Sequence, residues 1–161
     1  MLDIAATENQ IQTFIEPQTL TNLYPNVSAY RLRLYPGELD DLGKPISANH
    51  VVVQFKRTDL EEIPMNQFRS PCRQTQINKV VFNILVQSNN LRSHREVYGI
   101  ASAIVRQLRG KRILVMANGD EVHGQTPCQV LSYNFDKVDN GGVCYQSSLE
   151  IMSKYTDIFE I

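Results

Sequence analysis

The residues of this chain able to do chemistry are few and scattered. His123 and Cys128 are the one closely spaced histidine and cysteine, separated by Gly124 to Pro127. A cysteine nucleophile would take that histidine as its base and would also need a third group to orient it. No spacing marks such a group, and the pair reads better as an exposed loop histidine beside a strand cysteine. Asp40–Asp41 and Glu61–Glu62 are adjacent carboxylates of the kind used in acid–base work, yet neighbours in a loop need not converge on one reaction centre. Solvated acidic loops account for them. His50, His94 and His123 are too dispersed for a metal site, and Cys72, Cys128 and Cys144 supply no paired ligand spacing. Gly119, Gly124, Gly141 and Gly142 fall in neither phosphate-cradling pattern, so turn chemistry explains them. No catalytic residue, metal or cofactor is expected. A small hydrolase or nuclease working through His123 or Asp40–Asp41 is the least favoured alternative.

Two basic groupings point instead to contacts. Arg106, Arg109, Lys111 and Arg112 lie within seven positions, where they could meet phosphates or an acidic protein partner. Compensation of a helix dipole also accounts for them. Met65, Phe68, Arg69 and Arg73 lie along an irregular, proline-containing stretch, a loop suited to reaching a neighbouring subunit or a channel. Met65, Phe68, Arg69, Arg73, Arg109, Lys111 and Arg112 are the candidate subunit or partner contacts.

The chain must position these residues with 161 amino acids, 42% of them hydrophobic, enough for a single domain over residues 1–161 with its own core. Sixteen Lys and Arg against seventeen Asp and Glu leave a net charge of −1, so nothing drives wholesale binding to nucleic acid or to an anionic membrane. Three distant cysteines do not make a secreted disulfide framework, and a reducing cytoplasm is expected. The N-terminus lacks the basic-then-apolar pattern of a signal peptide, and no run approaches the roughly 18–20 apolar residues of a membrane span.

The spacing of Ile4, Ile11, Phe14 and Ile15 predicts a short helix over about Thr7 to Glu16, ended by Pro17. Alternation predicts a strand over Ser28 to Tyr35, and the β-branched run Val51–Val53 a second strand ending near Lys56. Residues 57–75 read as a long loop. The run from Ile77 to Val86 is too apolar for a one-sided strand and predicts a central position buried on both faces. Ser93 and Glu96 form a capping box for a helix starting at about His94. Val97, Tyr98, Ala101, Ile104, Val105 and Leu108 give that helix an apolar stripe, and Gly110 its C-terminal cap. A short strand over Ile113 to Met116 and a turn at Asn118–Gly119 follow. Gln129–Val138 and Val143–Tyr155, joined by Asp139-Asn140-Gly141-Gly142, predict a C-terminal hairpin. The fold class is α+β: a mixed or antiparallel sheet covered by two helices, in the order α-β-β-β-α-β followed by a C-terminal β-hairpin.

These elements carry a resemblance. The segments VSAYRLRLYP, HVVVQF, KVVFNILVQS, REVYGIASAIVRQLRG, CQVLSYNFD and VCYQSSLEI, taken in order, resemble the tail terminator, or tail-completion, proteins of tailed bacteriophages. The likeness covers most of the chain and is one of fold pattern. It implies a structural virion protein of the tail or neck, assembled in the host cytoplasm. The implied form is a homohexameric ring that stops tail-tube polymerisation and joins the tail to neck or head-completion proteins, with no cofactor and no catalysis. Tail-tube and sheath proteins are the further partners it implies, with genomic DNA passing non-specifically through the lumen. Another neck, tube or injection-system component is the alternative within the same class.

Overall fold

The computed structural model describes residues 1–15, 32–36, 49–61, 73–88, 95–139 and 143–160. Within them the order is α1 (Ile4–Phe14), β1 (Leu32–Pro36), β2 (Asn49–Glu61), β3 (Arg73–Ser88), α2 (Arg95–Leu108), β4 (Gln129–Asp139) and β5 (Val143–Glu160). The five strands make one sheet in the order β1-β2-β3-β5-β4. β1 runs parallel to β2, and every other pairing is antiparallel. The α+β class, with two helices on a mixed sheet, is as the sequence implies.

β3 is the centre of the sheet, as its apolar run requires, pairing with β2 on one side and β5 on the other. Val80, Phe82, Ile84 and Val86 point to the helix-covered face and are fully buried. They meet Val51 and Val53 of β2, Leu149 and Ile151 of β5, and the stripe of Val97, Ile100, Ala101, Ile104 and Leu108 on α2. The opposite face is mixed. Val52, Val81 and Met152 are buried there, while Asn83 accepts from the Ser148 hydroxyl at 2.8 Å and the Gln87 amide donates to Gln146 at 2.8 Å.

Helix α1 starts three residues before Thr7. The Asp3 carboxylate accepts from the Ala6 N–H at 3.0 Å, the capping interaction that satisfies one orphan donor of the first turn. Glu16 lies outside the described residues. A bulge between Phe55 and Arg57 interrupts the β2–β3 register, and Glu8 of α1 accepts the Phe55 N–H at 2.9 Å. One carboxylate thus pins the helix to the strand and pairs a ladder donor.

Four expectations need correction. β2 does not stop near Lys56 but continues to Glu61, and β3 begins at Arg73, so residues 57–61 and 73–75 of the expected loop are strand. Their polar composition is compatible with pairing because the charged side chains match: Arg57 with Asp59 along β2 at 2.8 Å, and Glu61 across the sheet with Lys154 at 3.3 Å and Lys79 at 3.9 Å. β5 likewise runs past Tyr155 to Glu160, opposite Arg73. Tyr98 does not join the buried stripe of α2; it is 55% exposed.

The fourth correction is Ile113–Met116, which forms only isolated bridges, Leu2 to Met116 and Val115 to Glu121. Side chains and loop backbone take its hydrogen-bonding groups. The Leu114 N–H donates to Gln125 Oε1 at 3.0 Å and the Gln125 amide returns a bond to the Leu114 carbonyl at 3.3 Å. The Val115 N–H donates to the Thr7 hydroxyl at 3.2 Å, and the Val115 carbonyl accepts from Asp3 N–H at 3.0 Å. Buried backbone must be paired by some partner, and here the partner is not a strand.

The described part of β1, Leu32–Pro36, ends on a proline at the edge of the sheet, where a missing N–H is tolerated. Ser28 to Arg31 and the capping-box serine, Ser93, lie outside the described residues. Gly110 has a φ of +81°, the left-handed geometry expected after a helix end. Gly119, at φ +87°, closes the tight turn in which its N–H donates to the Met116 carbonyl at 2.9 Å.

Candidate assembly surfaces

The end of α2 carries the clearest surface feature. The Arg109 N–H still donates to Val105 O at 3.0 Å, Lys111 N–H folds back to Leu108 O at 3.0 Å, and Gly110 N–H reaches Cys128 O at 3.3 Å. The chain therefore leaves the helix fastened to the start of β4. Arg106, Arg109, Lys111 and Arg112 are all exposed around this turn. Lys111 Nζ lies 5.7 Å from the centre of the Phe14 ring, a cation–π contact that ties the patch to the end of α1.

These cations differ from the other described ones. Lys56 pairs with Glu150, Arg57 with Asp59, and Lys79 and Lys154 with Glu61. Asp59 holds the Arg57 guanidinium above its ordinary pKa through hydrogen bonding and charge. Among the described residues, no carboxylate stands within ion-pair distance of Arg106, Arg109, Lys111 or Arg112.

A second feature, which the sequence did not bring forward, is aromatic. Tyr133 and Phe135 project from β4 on the same face, 38% and 41% exposed. Tyr98 of α2 lies 5.6 Å from Tyr133 between ring centres, and Phe135 stacks on Tyr145 at 5.5 Å. The Tyr133 hydroxyl donates to the Tyr98 carbonyl at 3.3 Å and lies 3.1 Å from the Ser102 hydroxyl. The period-two spacing of Tyr133 and Phe135 was the available signal; which helix residue meets them is a matter of tertiary packing.

Of the other expected contact residues, Arg73 opens β3 opposite Glu160, and Met65, Phe68 and Arg69 lie outside the described residues. The structure therefore brings Arg109, Lys111 and Arg112 together and leaves Arg73 on the sheet.

Two of the candidate chemical groups, Cys128 and Glu61, are engaged elsewhere. Cys128 is 2% exposed, and burial pushes its thiol from 9.0 up to about 12. It is a neutral core group at physiological pH, the opposite of an activated nucleophile. His123 is exposed. Glu61 is held in the ion pairs already described, while Asp40, Asp41, Glu62 and His94 lie outside the described residues. His50 sits on β2 opposite Gln87. Among the described residues, no group of three or more His, Cys, Asp or Glu is placed to hold a metal ion. Among them too, no helix is long and apolar enough to cross a membrane.

A scan against protein-family models finds no match, and a search of curated proteins finds none either. Solved structures do match. A chain of the structure described as "Virion of native gene transfer agent (GTA) particle" superposes with a TM-score of 0.58 at 14% sequence identity, covering 97% of this chain and 96% of that chain. The likeness is one of fold. It extends over nearly the whole of both chains, so the helices and the sheet belong to one shared architecture rather than to a common fragment.

Proposed function

We propose that this protein is a structural component of a tailed phage or phage-derived virion, in which it forms a hexameric ring. The ring caps the tail tube, ends its polymerisation and joins the tail to neck or head-completion proteins, leaving a lumen through which DNA passes. The observation that carries the virion role is the fold shared along 97% of the chain with a chain of a virion particle. The terminator role is supported by the order and pattern of elements from VSAYRLRLYP to VCYQSSLEI.

The role is not enzymatic. Cys128 held as a neutral thiol and Glu61 held between two lysines favour a scaffold over a reaction centre. Tail-tube protein, a neck or head-completion protein and, in a contractile tail, sheath protein are the partners. Residues Met65, Phe68, Arg69, Arg73, Arg109, Lys111 and Arg112 are the contacts this reading assigns. The matched structure is described as a virion, with no part of it named, so a neck or tube component is the second reading. Sedimentation of the purified protein with tail-tube protein separates the two. A terminator gives a species of six 18.4-kDa chains bound only at tube ends; binding along the tube, or a different symmetry, favours the second reading.

A further inference from the structure

We propose that the basic end of α2 in one copy docks against the acidic turn Asp120–Glu121 of the next copy, an inference that rests on the ring reading. Four exposed cations within seven positions, none paired with a carboxylate among the described residues, crowd like charges more closely than the end of one helix dipole needs. An acidic surface elsewhere relieves that repulsion. Without those four of its 16 basic residues, the chain carries 17 acidic groups against 12 basic ones, so a second copy offers the complementary charge.

Among the described side chains, the internal pairings show which acids are available. Glu8 accepts from the Phe55 backbone, Asp3 caps α1, Asp157 accepts from Asn78, and Asp59, Glu61 and Glu150 hold cations. Asp120 and Glu121 are exposed, and no described cation reaches them. Asp120 holds only its local turn partner, accepting from the Asn118 amide at 2.7 Å. No carboxylate of the acidic turn lies within ion-pair distance of the basic patch in the same copy, so both are left to pair between copies. Joining one to the other between copies makes a heterologous contact, which closes a ring when the rotation between copies divides a full turn. Charge complementarity of this sort fixes orientation and excludes the reversed docking.

The test is charge reversal, read by sedimentation velocity with tail-tube protein present. The basic reversal is Arg109→Glu with Arg112→Glu. The acidic reversal is Asp120→Lys with Glu121→Lys, and Glu121→Lys alone leaves the Asn118–Asp120 bond in place. All these side chains are exposed, and circular dichroism confirms that each variant is folded. Each double reversal is expected to raise the protein concentration needed for ring formation at least tenfold, and Glu121→Lys to do so in part. Mixing the two reversed proteins restores rings in part, because each junction of an alternating ring again sets the side chains at 109 and 112 against opposite charges at 120 and 121. Rings formed by wild type and by both reversals alike overturn this inference and leave the ring reading standing. Weakening by the basic reversal alone, with no rescue on mixing, also overturns it and assigns the patch to another anion such as DNA phosphate. A wild type that forms no ring with tube protein present sinks the ring reading and this inference together.

Discussion

Replacing Gln125 with leucine should unfasten the segment after α2. The Gln125 side chain is 6% exposed and acts as a surrogate strand, accepting from Leu114 N–H at 3.0 Å and donating to Leu114 O at 3.3 Å. Leu114 is itself 1% exposed, so water does not take the place of the lost amide. Each buried backbone group left unpaired costs about 1–3 kcal/mol, and two such groups give roughly 2–6 kcal/mol. The more apolar side chain returns on the order of 1 kcal/mol, leaving a net loss of about 1–5 kcal/mol. With no tryptophan in the chain, unfolding is followed by far-UV circular dichroism in urea, at one fixed protomer concentration because association adds stability by mass action. Gln125→Glu keeps the acceptor but presents no donor to the Leu114 carbonyl at neutral pH, and should fall between wild type and Gln125→Leu. A Gln125→Leu protein as stable as wild type, or more so, would refute the reasoning that this side chain stands in for a strand.

Other perturbations address the core and the caps. Both polar atoms of the Gln107 amide are buried without a hydrogen-bond partner, so Gln107→Met should stabilise the protein by about 1–3 kcal/mol in the same urea assay; destabilisation would mean that the amide is paired. Asp3→Ala should cost about 0.5–2 kcal/mol through loss of the α1 cap, with accelerated hydrogen exchange at Ala6. Burial raises the Cys128 pKa from 9.0 to about 12, so its contribution is intact below pH 9 and is lost as pH rises towards 12. Relative to Cys128→Val, wild-type stability should therefore fall by about 1.4 kcal/mol per pH unit across that window. In a Cys72→Ser, Cys144→Ser background the remaining thiol should stay unmodified by a disulfide reagent at pH 8 until urea unfolds the chain. Rapid modification in the native state would contradict its burial.

The parts of the fold that were legible in the sequence are those whose signal is local. The apolar run of β3 announced a central strand, and the stripe from Val97 to Leu108 with Gly110 after it announced a capped helix. What escaped depends on partners far along the chain. Arg57–Glu61 is polar enough to look like loop, and only its pairing with Ile77–Val81 makes it strand. Ile113–Met116 is apolar enough to look like strand, but Thr7 lies 108 positions away from Val115, and it is Thr7 that accepts the Val115 N–H.

The same division runs through the candidate site. Arg109, Lys111 and Arg112 were visible as a cluster, and the helix end beneath them explains their exposure. Asp120 and Glu121 were not distinguished from other acids, because a sequence does not show which carboxylates are consumed by internal pairs. The structure assigns Glu61 and Glu150 to lysines across the sheet. Tyr98 illustrates the converse error: its spacing fits the stripe of α2, while its place near the start of the helix leaves it beside Tyr133 at the rim of the sheet.

Tail-tube length in particles made without this protein tests the central claim most directly. If the protein is the terminator, electron micrographs of such particles should show tubes of excessive and variable length that carry no head. Tubes of uniform, normal length would contradict the account.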